Sequence, residues 1–381
     1  MAAIVAVRSG NWSDTSHVTG PWPGGVTPTT KPGVGDTVQT GAYVVTIDED
    51  VHVALLESTS TGYFVVTDAP TLPAVRTITA NVLNSGTATG AIQISNATGQ
   101  VFLTGDVTGG SEVGAYGIYS TGNIGDVTGN VTGGGGDSAI GINNRGVIGN
   151  ITGDIAAGKT SAYGIQSTST IGNIIGDISG SNWYDGCGIF NDGGTIGDIT
   201  GDIIGSAGAG AYGIYSTGNI GDVTGNVTGG GGKDACGIYT EGAIGDITGN
   251  VTGGGGKDAC GIFNDGGAIG DITGNVTGGG GDDAYGVEST SRVDIDGVLA
   301  CGPTGVVPVA GAMRLVASAA NAMSFLSTVG AAWTLSNDYP AEADVKSGVD
   351  YNRGTMTGEL AAGGSIGPVS IVIGGGGIRI S

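Results

Sequence analysis

Positive charge is scarce in this chain. Only 12 lysine and arginine residues stand against 34 aspartate and glutamate residues, which leaves a formal net charge of -22 over 381 residues. No stretch gathers the basic side chains into a cluster. Phosphate backbones and anionic lipid surfaces are bound through such clusters, so we expect no nucleic-acid partner.

Long apolar runs are missing as well. No segment reaches the roughly 20 consecutive apolar residues of a membrane-spanning helix, which predicts no membrane insertion. The first ten residues, MAAIVAVRSG, lack the basic n-region and the long apolar h-region of a secretory signal. We therefore expect that the protein is not exported by that route.

Residue types that commonly carry catalysis are sparse. The two histidines, His17 and His52, lie outside the repeats described below, and no nucleophile motif occurs. The sequence therefore predicts a protein that is not an enzyme and has no cofactor. Glycan cleavage is the enzymatic alternative, because glycosidases use a pair of carboxylates.

The four cysteines predict neither disulfides nor a metal site. Cys187, Cys236 and Cys260 recur at one position of the repeat, where other copies carry Tyr or Ile. This position accepts bulky apolar side chains, so we interpret the three thiols as buried and reduced. A soft-metal or redox cluster is the alternative, but the sequence lacks its CxxC spacing and histidine partners.

Glycine, by contrast, is abundant and marks out a repeat. Eight copies each carry a glycine before their first isoleucine or valine, at intervals of 23 to 25 residues: Gly117, Gly141, Gly164, Gly188, Gly213, Gly237, Gly261 and Gly286. The Ile, Val and Thr between glycines favour strands, and self-similarity at this period is typical of a solenoid. We predict an all-β fold, a parallel β-helix (β-solenoid) with about 24 residues per coil.

The repeat divides the chain into five segments. Residues 1-40 contain Trp12 and Trp22 and predict an N-terminal cap, and residues 41-110 predict irregular early coils. Residues 111-292 hold the regular β-helix repeats. We expect terminal β strands in residues 293-339 and a separate C-terminal β segment, for attachment or oligomerisation, in residues 340-381.

Aspartate and asparagine recur in two columns of the repeat. One column begins at Asp126 and the other at Asn130, and each runs through seven coils. We interpret them as Asx ladders that satisfy backbone groups at the corners. Calcium binding is the alternative, although the nonapeptide signature of calcium-loaded β-rolls is absent.

An aromatic stripe occurs two positions after the anchor glycine, with Tyr215, Tyr239 and Phe263 in consecutive coils. Alternation along a strand turns these side chains away from the buried isoleucines, so we expect them to be exposed. An exposed aromatic patch marks an interface. We predict contact with another subunit, and stacking on sugar rings is the alternative.

One coil is interrupted by further aromatic residues. Trp183 and Tyr184 precede Asp185 there, and we predict either a sugar platform or a loop folded back on the rod. If the protein cleaves glycans, this coil is where the carboxylates are expected, at Asp185 or Asp192.

Both ends of the chain resemble parts of bacteriophage proteins. The motif Gly10-Asn-Trp-Ser-Asp14, followed by Trp22-Pro-Gly-Gly25 and Gly35-Asp-Thr-Val38, resembles the opening cap of bacterial and phage β-helix proteins. Residues 343-360, ADVKSGVDYNRGTMTGEL, are similar to a tail motif of bacteriophage virion proteins. Together these motifs cover about 50 residues.

This resemblance implies a virion protein of the tail-fibre, tailspike or capsid-decoration type, commonly a homotrimer and assembled in the host cytoplasm. It implies a non-enzymatic surface structural protein that binds other virion proteins through its C-terminal segment, with host surface glycans as a further contact. Unlike tailspikes, the sequence leaves no room for an N-terminal head-binding domain and offers no catalytic carboxylate pair to carry over. A polysaccharide depolymerase (lyase or hydrolase) and a bacterial surface adhesin are the alternatives.

Overall fold

The structure is a computed structural model that describes residues 3–14, 21–22, 31–67, 75–95, 99–181, 186–256 and 259–279, and shorter pieces beyond them. These pieces are residues 284, 286–289, 294–296, 299–300, 350–351, 356–357, 371–374 and 377–380. Every helix or strand assigned within the described residues is a β-strand. In the same residues no helix is long and apolar enough to cross a membrane.

The strands before the regular repeats are uneven in length, from two residues in β1 to ten in β7. They are β1 (Ile4–Val5), β2 (Gly10–Asn11), β3 (Thr37–Gln39), β4 (Val44–Ile47), β5 (Val51–Ser58), β6 (Tyr63–Val66), β7 (Val75–Asn84), β8 (Gly90–Ile94), β9 (Gln100–Thr104) and β10 (Val107–Thr108).

Each regular coil then contributes three strands, and the strands of the later coils contain only two or three residues each. They are β11 (Tyr116–Ser120), β12 (Asn123–Thr128), β13 (Val131–Thr132), β14 (Ile140–Asn144), β15 (Ile151–Thr152), β16 (Ile155–Ala156), β17 (Ile165–Ser167), β18 (Ile174–Ile175), β19 (Ile178–Ser179), β20 (Ile189–Asn191), β21 (Ile199–Thr200), β22 (Ile203–Ile204), β23 (Ile214–Ser216), β24 (Val223–Thr224), β25 (Val227–Thr228), β26 (Ile238–Thr240), β27 (Ile247–Thr248), β28 (Val251–Thr252), β29 (Ile262–Asn264), β30 (Asp271–Thr273), β31 (Val276–Thr277), β32 (Val287–Ser289), β33 (Asp294–Asp296) and β34 (Leu299–Ala300).

Strands of one coil pair in parallel with the equivalent strands of the next. Ile118 is in register with Ile142, and Ile142 with Ile165, and this column continues through a 12-stranded sheet that ends at β32. The other two strands of each coil stack into a 22-stranded sheet. The chain is therefore a β-solenoid of about nine turns with equivalent strands about 24 residues apart, which confirms the predicted parallel β-helix.

Four aliphatic columns fill the interior. One coil contributes Ile214, Ile220, Val223 and Val227, which are at most 3% exposed, and their equivalents in the other coils join them in one buried cluster. Each of these side chains lies on an isoleucine or valine of the coil before it and of the coil after it. The core is therefore thin but continuous, and its stability comes from contacts between neighbouring coils.

The corner between the two shorter strands requires glycine. In seven successive coils it has a φ between +131° and +144°: Gly129, Gly153, Gly176, Gly201, Gly225, Gly249 and Gly274. A Cβ atom on Gly249 would lie 2.1 Å from the carbonyl oxygen of Gly225 in the previous coil. The corner therefore excludes a side chain both by backbone conformation and by space.

Parallel stacking extends to both ends of the described solenoid. β1 pairs with β3 and β2 with β4, so the segment predicted as a cap contributes strands to the stack. There Trp22 Nε1 donates a hydrogen bond to the carbonyl of Trp12 at 3.0 Å, with the two buried rings edge to face. At the other end β33 and β34 pair with β30 and β31, so stacking continues past residue 292.

The C-terminal strands form a sheet of their own. It contains β35 (Asp350–Tyr351), β36 (Met356–Thr357), β37 (Ile371–Gly374) and β38 (Gly377–Ile380) in the order β35-β36-β38-β37. β36 and β38 are parallel, and the other two pairs are antiparallel. The remaining boundaries of the five predicted segments, and the role of residues 340-381, stay predictions.

Candidate functional site

The aromatic stripe forms a stack of four rings, which we call the aromatic ladder: Phe190, Tyr215, Tyr239 and Phe263. Neighbouring ring centroids are 4.8, 5.0 and 4.8 Å apart, and the planes of neighbours differ by only 7° to 9°. This spacing equals the distance between hydrogen-bonded strands. The in-register pairing of β20, β23, β26 and β29 therefore places each ring directly over the next.

The ladder is less exposed than the sequence predicts. Its side chains do point away from the core, because they alternate with buried residues of the same strands. They are nevertheless half-buried, because the faces of Tyr215 and Tyr239 are covered by the neighbouring rings. What these two residues offer to a partner is their ring edges and phenol hydroxyls.

Tyrosines from a second column pack against the ladder. The ring of Tyr163 lies 5.3 Å from that of Phe190, and the ring of Tyr212 lies 5.6 and 5.5 Å from those of Tyr215 and Tyr239. This contact was not predicted, because the sequence indicates only that the column of Tyr163 and Tyr212 accepts bulky apolar side chains. The regular recurrence of tyrosine three residues before the stripe was the available signal.

Carboxylates border the ladder on the side that follows each strand. Asp192, Glu241 and Asp265 are exposed there, two residues after a ladder position. Burial raises the pKa of the Tyr215 and Tyr239 phenols above the ordinary value of 10.0, and Glu241 adds to both shifts. The face is thus aromatic at its centre and acidic along one edge in the later coils.

This geometry favours packing against a surface over stacking on sugars. A sugar ring binds to an aromatic face, but the two faces of Tyr215 and of Tyr239 are already occupied by ring neighbours. Ring edges and phenol hydroxyls suit a broad protein contact with a few hydrogen bonds, and tyrosine is enriched in such interfaces. The predicted subunit contact remains a prediction, and the aromatic ladder is its candidate surface.

The cysteine column lies beside the same strands. Cys187, Cys236 and Cys260 are buried and free of disulfides, as the sequence predicts. A hydrogen bond between the Cys236 and Cys260 thiols, together with burial, raises the pKa of Cys260. Across the described residues, no group of three or more His, Cys, Asp or Glu side chains is placed to hold a metal ion.

Both Asp and Asn columns are Asx ladders. In each, a side-chain oxygen accepts a hydrogen bond from the backbone N–H of the equivalent residue in the next coil. Asp222 Oδ1 accepts a hydrogen bond from the backbone N–H of Asp246 at 2.8 Å, and Asp246 Oδ1 accepts one from the N–H of Asp271 at 2.8 Å. The same bond recurs from Asp126 onwards in this column. The second column repeats it from Asn81 to Asn275. The polar repeat thus supports the coil stack.

A shallow open groove of about 380 Å³ lies between an Asx ladder and the neighbouring threonines. Its polar lining comes from Asp126, Thr128, Asn150, Thr152 and Asn173. Asp126 is the single carboxylate of this lining, and its Oδ1 already accepts the N–H of Asn150 at 2.8 Å. The groove therefore lacks the pair of carboxylates that glycosidic cleavage uses.

Three predicted site residues, Trp183, Tyr184 and Asp185, lie outside the described residues. The predicted sugar platform or folded-back loop in that coil therefore stays a prediction. Asp192, which follows the same coil's ladder residue, is described and exposed.

Comparison of the chain with models of known protein families, with curated proteins and with solved structures gives no match.

Proposed function

We propose that the protein is a non-enzymatic structural component of a bacteriophage virion surface. In this proposal three copies associate into a rigid rod that acts as a fibre, spike or capsid decoration. The C-terminal segment binds other virion proteins. Host surface glycans are a secondary contact of the assembled rod.

The aromatic ladder is the observation that supports this proposal best. In the described coils, the regular aliphatic and Asx columns are used within the chain, for the core and for bonding one coil to the next. The ladder is different, because it points outward, is half-buried and has ring edges available for another surface. A rigid rod with one such face is suited to lateral association.

Mass measurement tests the association. The purified full chain has a mass of 36.9 kDa, and we expect light scattering after gel filtration at micromolar concentration to give three times that value. Substitution of Tyr215 and Tyr239 by serine together is expected to lower the assembled fraction, because it removes the centre of the ladder. A wild-type protein that stays monomeric under these conditions would refute the proposal.

Location in the particle tests the virion assignment separately. Antibodies against the purified chain are applied to intact particles of the phage that encodes it. They should label the particle surface in electron micrographs. Labelling of a cell surface without particles would favour the adhesin alternative instead.

The depolymerase alternative has its own test. Purified wild-type protein incubated with host surface polysaccharide is expected to leave the polysaccharide length unchanged. Shortening that disappears in Asp185→Asn or Asp192→Asn variants of unchanged assembly would replace the structural proposal with an enzymatic one.

A further inference from the structure

Arg76 is a buried arginine at a core position of the early coils. It is the second residue of β7, in which buried and outward positions alternate, so its side chain points inward as those of Ile78 and Ala80 do. It is only 9% exposed. Val101 is its register partner in the next coil, and Ile124 follows in the same column. A positive charge therefore stands at the head of a column that continues with buried aliphatic residues.

Two nitrogens of the Arg76 guanidinium, Nε and Nη2, are buried and have no hydrogen-bond partner in the described part of the chain. The ion pairs among the described residues are those of Lys31 with Glu49 and of Lys233 with Asp234. A buried charge without a counter-charge costs far more free energy than an unpaired neutral group. This position is therefore complete only with an added negative charge.

The carboxylates of the preceding coil do not supply that charge. The turn before β5 lies beside the start of β7, and there Asp50 Oδ1 accepts the backbone N–H of Thr77 at 2.8 Å. Both carboxylate oxygens of Glu49 accept hydrogen bonds from Lys31 Nζ, at 2.6 and 2.9 Å. Neither carboxylate is bonded to Nε or Nη2 of Arg76. The counter-charge is therefore left to a bound ion.

The two unpartnered nitrogens define the shape of that ion. The N–H of Nε and one N–H of Nη2 run parallel on one side of the planar guanidinium, and two oxygens of a carboxylate or a phosphate accept such a pair together. A water molecule brings no charge and presents a single oxygen to the pair. The Arg76 fork is therefore suited to an oxyanion.

We propose that Arg76 binds a small oxyanion, a phosphate or a carboxylate, through Nε and Nη2. The bound ion neutralises the buried charge at the start of β7 and stabilises the early coils, because the unfolded chain has no such site. This inference goes beyond the proposed function and does not depend on it, since it uses no contact of the aromatic ladder.

Thermal unfolding in different anions tests the site. The full chain is unfolded in sodium phosphate, sodium acetate and sodium chloride of equal ionic strength at pH 7. Phosphate also stabilises folded proteins through exclusion from their surface, so the measured quantity is the difference from Arg76→Met. We expect saturating oxyanion to raise the unfolding temperature of wild type by about 5 °C more than that of Arg76→Met.

Two comparisons make this experiment specific. Methionine suits the aliphatic column, so Arg76→Met should fold and, in chloride, should unfold at or above the wild-type temperature. Arg145→Met is the matched control, because Arg145 is exposed and its loss should leave the oxyanion response unchanged. A response to phosphate alone identifies a phosphate site, and a response to acetate alone identifies a carboxylate site.

Calorimetric titration gives a second measurement that does not depend on the stability of a variant. Wild type should bind one ion per chain, and Arg76→Lys, which keeps the charge but lacks the fork, should bind it at least about tenfold more weakly. A wild type that binds neither ion would overturn the proposal. So would Arg76→Met with the wild-type response, or Arg76→Lys with the wild-type affinity.

Discussion

At the scale of single residues, the Asx ladders combine one side chain with one backbone group of the next coil. Asp222→Ala removes the acceptor of the Asp246 N–H, and we expect a loss of about 1 kcal/mol in the free energy of unfolding. Asp222→Asn is the matched control, because its amide oxygen keeps the acceptor, as Asn226 does in the other column. Chemical denaturation compares the two variants. Equal losses in both would show that charge, and not the hydrogen bond, is what matters at this position.

Corner glycines are the second residue-scale feature. Gly249→Ala places a Cβ at 2.1 Å from Gly225 O on a backbone with φ +140°, so we expect a loss of about 2 kcal/mol or more. Gly135→Ala is the control, because a Cβ there meets nothing within 4 Å. Thermal unfolding of both variants, followed by circular dichroism, should separate them. A Gly249→Ala protein as stable as the control would contradict the assigned corner.

At the scale of the element, the aromatic ladder should make stability depend on alkaline pH. Burial raises the pKa of Tyr215 and Tyr239 above 10.0 in the folded chain. The unfolded state therefore loses these protons first, and the stabilisation that is present below pH 10 is lost as the pH rises towards the folded pKa values. We expect the unfolding temperature to fall more steeply above pH 10 in wild type than in a Tyr215→Phe, Tyr239→Phe double variant. Identical slopes would argue against raised pKa values of the Tyr215 and Tyr239 phenols in the folded chain.

At the scale of the whole molecule, stability is a sum over coils. Deletion of residues 213–236 removes one coil between two anchor glycines, and it keeps every column in register. We expect this shortened chain to fold with β-sheet circular dichroism and cooperative unfolding. Deletion of residues 213–224 removes about half a coil, places core positions against corners and should leave the protein protease-sensitive. Equal behaviour of the two deletions would contradict the coil register.

Much of the repeat could be predicted from the sequence because the same residue pattern recurs in successive coils. The isoleucine columns and Asx ladders recur at a fixed period, so strand identity and inward or outward direction follow from alternation. The contact between Tyr212 and the ladder could not be predicted in this way. In the structure Tyr212 is half-buried and its ring contacts those of Tyr215 and Tyr239, whereas Cys236 at the equivalent position of the next coil is buried.

By itself, the sequence determined the parallel β-solenoid, its period of about 24 residues and the residues that occupy the core and the corners. These features are local or periodic, and each coil only has to match its neighbour. Only the tertiary structure decided how the outward residues combine. Stacking at strand spacing covers the ring faces of Tyr215 and Tyr239 and uses the Asx oxygens within the stack. Distances between side chains of different coils set these properties, and the order of residues along the chain does not contain those distances.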